Sequence, residues 1–129
     1  MSKVALVVDD SMLIRYSVCR FLEERGFVVE SAVNGSEALE KLSRVRPDLI
    51  VTDMKMPKMS GSELITALKG RPETAHVPIV IVTSNVNGCG DAETRADFAI
   101  YKDIDIESQL AKTLSALPEF AKVRGQSAG

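Results

Sequence analysis

Val4-Ala5-Leu6-Val7-Val8-Asp9-Asp10 is a run of five aliphatic residues that stops on two carboxylates. So short and unbroken an apolar stretch marks a strand buried on both faces, as parallel strands covered by helices are. Leu49-Ile50-Val51-Thr52 stops in the same way on Asp53, and Ile79-Val80-Ile81-Val82 stops on Thr83-Ser84. Phe98-Ala99-Ile100-Tyr101 runs into Lys102. If these four runs are parallel strands of one sheet, their carboxyl ends bring three carboxylates, a hydroxyl and an ammonium to one edge. Open α/β sheets take their ligands at that edge.

The segments between the runs carry helical spacing. After Asp10, the residues Leu13, Ile14, Val18, Phe21 and Leu22 fall near one face, and Gly26 supplies a stop. Phe27 to Ser31 reads as a further strand, and Ser36 to Leu42 as a second helix after the Asn34-Gly35 break. Ser60-Gly61-Ser62-Glu63 has capping-box spacing ahead of Leu64, Ile65 and Leu68, so a third helix starts there. Ile106, Leu110, Leu114 and Leu117 define a last amphipathic helix. The alternation predicts an α/β domain: a doubly wound, five-stranded parallel sheet with helices on both faces and right-handed crossovers. It occupies residues 1–121, with 122–129 as a flexible tail.

A chain of 129 residues is the size of one domain. Its net charge of -2 argues against direct nucleic-acid binding. The amino-terminal apolar run is too short for a signal sequence or a membrane span, which predicts a cytoplasmic protein without membrane insertion. Cys19 and Cys89 have neither metal nor disulfide spacing and are expected to be reduced thiols. His76, the single histidine, reads as a surface residue, since one imidazole makes no metal site.

Asp9 and Asp10 cannot both point into one pocket with Asp53 at neutral pH without a cation. Hard oxygen donors completed by water suit Mg²⁺ better than Zn²⁺, which prefers His or Cys. Mg²⁺, Lys102 and the Thr83 hydroxyl around a carboxylate are groups that hold a phosphoryl group during in-line transfer, and the carboxylate itself can be the nucleophile. Asp9, Asp10 or Ser11 could each also serve simply as the cap of the first helix. Capping accounts neither for Asp53 ahead of a loop nor for Lys102 at a strand end.

Val8-Asp9-Asp10-Ser11, Asp53-Met54-Lys55-Met56-Pro57-Lys58-Met59-Ser60-Gly61, Thr83-Ser84 and Lys102 together resemble the receiver domain of two-component response regulators, from about Lys3 to Leu117. The resemblance implies a flavodoxin-like fold in which Asp53 accepts a phosphoryl group from a sensor histidine kinase or a histidine phosphotransfer protein. It implies that Asp10, Asp53 and the backbone carbonyl of Lys55 ligate Mg²⁺, that Asp9 holds it through water, and that Thr83 and Lys102 contact the phosphoryl oxygens. The Lys55 side chain would lie near the attacking water. By the same likeness the chain resembles stand-alone chemotaxis-type regulators, which dock on an output protein when phosphorylated and turn over no external substrate.

Three positions depart from the family pattern. Asp103 follows Lys102 where receivers commonly have proline. Ala99 stands where they have a switch aromatic, with Phe98 and Tyr101 expected on the strand face opposite Ala99. The stretch from Thr83 to Lys102 is short and holds Asn85-Val86-Asn87-Gly88-Cys89-Gly90-Asp91, so the family's fourth helix is expected to be shortened or absent. Two other functions remain open: an interaction domain that never turns over phosphate, and an aspartyl-phosphate phosphohydrolase of the haloacid-dehalogenase type. The latter lacks its second acid, since Lys55 stands two residues after Asp53. The sequence carries no signal for the output partner or the oligomeric state.

Overall fold

The computed structural model describes residues 3–54, 59–83, 96–102 and 105–117. Their elements run β1 (Val4–Val8), α1 (Met12–Glu23), β2 (Val28–Ala32), α2 (Gly35–Lys41), β3 (Leu49–Asp53), α3 (Gly61–Lys69), β4 (Ile79–Thr83), β5 (Phe98–Tyr101) and α4 (Ile106–Ala116). The strands form one parallel sheet in the order β2-β1-β3-β4-β5. The expected doubly wound sheet is therefore present. The stretch expected to lack a full helix, residues 84–95, lies outside the described residues, as do Lys55, Cys89, Asp103 and the 122–129 tail.

Strand side chains alternate between two cores, which is why the runs are apolar throughout. Ala5, Val7, Leu49, Val51, Val80, Val82 and Ile100 face one way, onto Val18, Phe21 and Leu22 of α1 and Leu110 and Leu114 of α4. Leu6, Val8, Ile50, Ile79 and Ile81 face the other way, onto Ala38 of α2 and Leu64, Ile65 and Leu68 of α3. A fully buried leucine such as Leu22 or Leu68 stabilises the fold by about 1.5–3 kcal/mol. At the opposite end of the sheet from the carboxyl edge, Asp48 Oδ2 accepts Val4 N–H at 2.9 Å and Asp97 Oδ2 accepts Ile79 N–H at 2.8 Å. Those acids tie down strand starts.

Local signals set the helix ends. Ser60 and Glu63 form the expected capping box at α3, and Asn34 caps α2 by accepting Glu37 N–H at 2.8 Å. Gly26, with φ +91°, follows α1, and Phe27 N–H reaches back to Leu22 C=O at 3.1 Å. Phe27 thus belongs to the helix-terminating turn, and β2 starts one residue later than expected.

Two side-chain placements correct the sequence reading. Leu13, assigned to the buried face of α1, is 76% exposed, because it stands off the stripe defined by Val18, Phe21 and Leu22. Phe98 packs with Ile100 on the α1/α4 side while Ala99 is exposed. Alternation then puts Tyr101 on the face of Ala99, not opposite it. His76 is exposed as expected.

Candidate phosphoryl site

The chain leaves β1 toward β2 on one side and enters β3 on the other, so the strand order reverses between β1 and β3. A crevice opens at such a switch point, beyond the carboxyl ends of the two strands. The pairing of Val8 with Thr52 sets Asp9 and Asp53 side by side at its mouth. Asp10 is the next residue along. One oxygen from each of Asp9, Asp10 and Asp53 lies within 4.8 Å of the others. Asp9 and Asp53 are 2% and 4% exposed, whereas Asp10 faces solvent.

Capping does not explain the pair of aspartates. Ser11 caps α1, its Oγ accepting Ile14 N–H at 3.4 Å. Asp9 Oδ1 instead accepts Ser11 N–H at 2.8 Å, and the Arg15 guanidinium donates to the Asp9 carbonyl at 2.8 Å. The β1-α1 turn is fixed from both sides and holds the Asp9 and Asp10 carboxylates beside Asp53. Arg15 escaped the sequence reading because its partner is main chain, which leaves no mark in residue identity.

Lys102 follows β5, its N–H donating to Thr83 C=O at 2.8 Å. Its Nζ lies 3.2 Å from Asp53 Oδ2 and 3.5 Å from Asp9 Oδ2. Thr83 closes β4, one residue past the Val82 that pairs with Asp53. The structure thus gathers Asp9, Asp10, Asp53 and Lys102 at one sheet edge and puts Thr83 at the adjacent strand end. The Lys55 carbonyl lies outside the described residues.

The electrostatics are unbalanced. Burial pushes the Asp9 carboxyl above its ordinary value, and the Ser11 N–H and Lys102 only partly oppose that rise; Asp10 adds to it. Asp9 Oδ2 is buried and makes no hydrogen bond among the described residues beyond its 3.5 Å ion pair with Lys102. A buried carboxylate oxygen in that state, beside two further carboxylates, fits a hard divalent cation of the Mg²⁺ kind.

Gly61, the first residue of α3, completes the site from below. A Cβ there would stand 2.5 Å from the Asp53 carbonyl oxygen and 2.8 Å from Met54 Cα. Only glycine lets α3 approach the Asp53 main chain so closely. Its place in the Ser60-Gly61-Ser62-Glu63 box was legible; the contact was not.

A family profile described as the response regulator receiver domain matches residues 5–114. The chain belongs to the response regulator receiver family. Response regulator MprA of Mycobacterium tuberculosis is 33% identical over 120 residues, 91% of this receiver chain and 51% of that protein. A protein-glutamate methylesterase/protein-glutamine glutaminase of Archaeoglobus fulgidus is 45% identical over 80 residues, 61% of this chain and 22% of that one. The receiver chain thus spans about half or less of the length of these curated relatives. The high-resolution structure of the chemotaxis response regulator CheY4 of Vibrio cholerae superposes with a TM-score of 0.80 at 30% identity, covering 91% of this chain and all of that one. Among the described residues, no helix is long and apolar enough to cross a membrane.

Proposed function

We propose that this receiver, formed by residues 1–121, is a cytoplasmic phosphorylation switch. Asp53 accepts a phosphoryl group from a phosphohistidine on a sensor histidine kinase or histidine phosphotransfer protein. A carboxylate oxygen of Asp53 attacks phosphorus, a P–O bond forms, the P–N bond breaks, and the imidazole nitrogen keeps the electron pair and takes up a proton. The observation that carries this reading is the buried Asp53 carboxylate 3.2 Å from the Lys102 ammonium, within one acidic cluster at the switch point.

Asp10, Asp53 and the Lys55 carbonyl would hold Mg²⁺ directly and Asp9 through water. Bound there, the ion supplies charge neutralisation for phosphoryl transfer. Lys102 balances charge on the phosphoryl oxygens from the β5 side, and the Thr83 hydroxyl donates a hydrogen bond to one of them. The only turnover is self-directed: uptake, then hydrolysis of the acyl phosphate by water.

The donor has an approach surface in view. Met12, Leu13 and Tyr16 on α1 are 71%, 76% and 61% exposed, directly after Asp10. Three large exposed apolar side chains on the first turns of the helix that follows Asp10 suit a protein donor better than a metabolite. The output protein would read the phosphorylated state by docking.

Incubation with acetyl phosphate and Mg²⁺ followed by intact mass tests the proposal. One phosphoryl group is expected on the wild type and none on Asp53→Ala. A folded wild type that gains no mass refutes phosphoryl uptake and favours an interaction domain that does not turn over phosphate.

A further inference from the structure

Among the described residues β5 is an edge strand, with β4 on one side and no strand on the other. At its last residue the open side is filled by a single side chain. Gln109, in the first turns of α4, lays its carboxamide along Tyr101: Oε1 accepts Tyr101 N–H at 3.0 Å, and Nε2 donates to Tyr101 C=O at 2.9 Å. Nε2 also reaches the Asp105 carbonyl at 3.3 Å. A carboxamide offers the same donor and acceptor as a residue of a neighbouring strand, so Gln109 extends the ladder by one residue.

The clamp is itself anchored. Asp105 caps α4, the Gln109 N–H donates to Asp105 C=O at 3.2 Å, and the Gln109 C=O accepts from Thr113 Oγ1 at 2.9 Å. The residue after Tyr101 is Lys102, whose ammonium meets Asp53 and Asp9. Asp103 comes next, so no pyrrolidine ring restrains the chain on that side. Thr83 and Gln109 therefore hold the strand end from its two edges, at consecutive residues.

We infer that Gln109 is a positioning residue for the phosphoryl site: its carboxamide fixes the end of β5 so that the Lys102 stem starts from a set point and its ammonium stays on Asp53. This inference rests on the reading of Asp53 as acceptor and Lys102 as its cation. A bland alternative is that the same bonds merely fasten α4 to the sheet. The two differ in what happens to Lys102.

Gln109→Met keeps the length and bulk of the side chain and removes its hydrogen bonds. In protein without phosphodonor, NMR relaxation would measure the order of the Lys102 side-chain methylenes, with exposed Lys112 of α4 as control, alongside exchange of the Tyr101 amide. Expected are faster Tyr101 exchange and lower order at Lys102 with Lys112 unchanged. Phosphoryl uptake from acetyl phosphate should slow by about fivefold, the worth of one neutral hydrogen bond. Lys102 order equal to wild type would overturn the inference. A wild type that takes up no phosphoryl group would refute the site reading instead, while Lys102 order still decides the role of Gln109. Should Gln109→Met not fold, Gln109→Asn, one methylene short of spanning Tyr101, is expected to lower Lys102 order in the same direction, and unchanged order there also overturns it.

Discussion

Replacing Gly61 by alanine puts a methyl group against two stretches of backbone that cannot rotate away. The new Cβ would lie 2.5 Å from the Asp53 carbonyl oxygen and 2.8 Å from Met54 Cα, where ordinary contact begins at 3.4 Å. Relief requires the start of α3 to move away from β3, which stretches the 3.0 Å bond from Gly61 N–H to Met54 C=O. Forced overpacking of this kind costs about 1–3 kcal/mol. The helix-propensity gain from glycine to alanine is at most ~1 kcal/mol and applies to helix interiors, so at the first helical residue it does not offset the clash. With a slope of about 1–3 kcal/mol per molar urea, the unfolding midpoint should fall by roughly 1 M. Phosphoryl uptake should fall further than stability explains, because the displaced carbonyl belongs to Asp53 itself. Gly70→Ala is the control: its Cβ would meet only Thr66 and Ala67 carbonyls at 3.5 and 3.6 Å. That change should stabilise by about 0.4–1 kcal/mol through the unfolded chain. A Gly61→Ala midpoint at or above wild type would refute the reasoning.

Asp9 sets a pH dependence. Burial raises its pKa in the folded state above the ordinary 3.8, so between those two values the folded protein binds the proton more tightly than the unfolded chain. Its contribution to stability therefore declines as pH rises through that window, and above it the full cost of the buried charge remains. Asp9→Asn, without divalent cation, should be more stable than wild type at neutral pH, with the gain shrinking as pH falls toward 4, as read by urea unfolding. A variant less stable than wild type at neutral pH contradicts this. Leu13→Glu should change stability by no more than about 0.5 kcal/mol, as expected of an exposed position. It should leave uptake from acetyl phosphate intact and slow transfer from a phosphohistidine protein; equal effects on both donors would show that α1 is not the approach surface.

The parts of the fold that the sequence made legible are those where residue identity and position coincide. Asp9, Asp53, Thr83 and Lys102 each terminate an apolar run, so a parallel sheet had to bring them to one edge. The capping box at Ser60 and the stop at Gly26 are short-range chemistry and read directly. Other features depend on what side chains meet across space. Leu13 is as apolar as Leu22, and only the exact rotation of α1 decides which is buried. Tyr101 was assigned to the wrong face because residues three apart in a strand do not share a side. Gln109 and Arg15 read as ordinary polar positions on helices, since both act on main-chain atoms at the end of the preceding strand, which leave no mark in residue identity. Gly61 looked like part of a cap, and its second role, admitting α3 to the Asp53 carbonyl, needs the third dimension.

The route of the chain through the sheet has a consequence for synthesis. Asp9 and Asp53 are on neighbouring inner strands, but the lysine that balances them follows β5, the last strand to leave the ribosome. A nascent chain ending before residue 102 can pair β1 with β3 and so assemble the acidic crevice, yet it lacks the ammonium that meets Asp53 and Asp9 in the finished fold. Until β5 docks, those carboxylates go without the Lys102 ion pairs, and protonation, separation or a cation from solution eases their repulsion. Docking of the final strand therefore completes the sheet and brings the Lys102 ammonium to those carboxylates in a single event, which ties completion of the fold to that of the site.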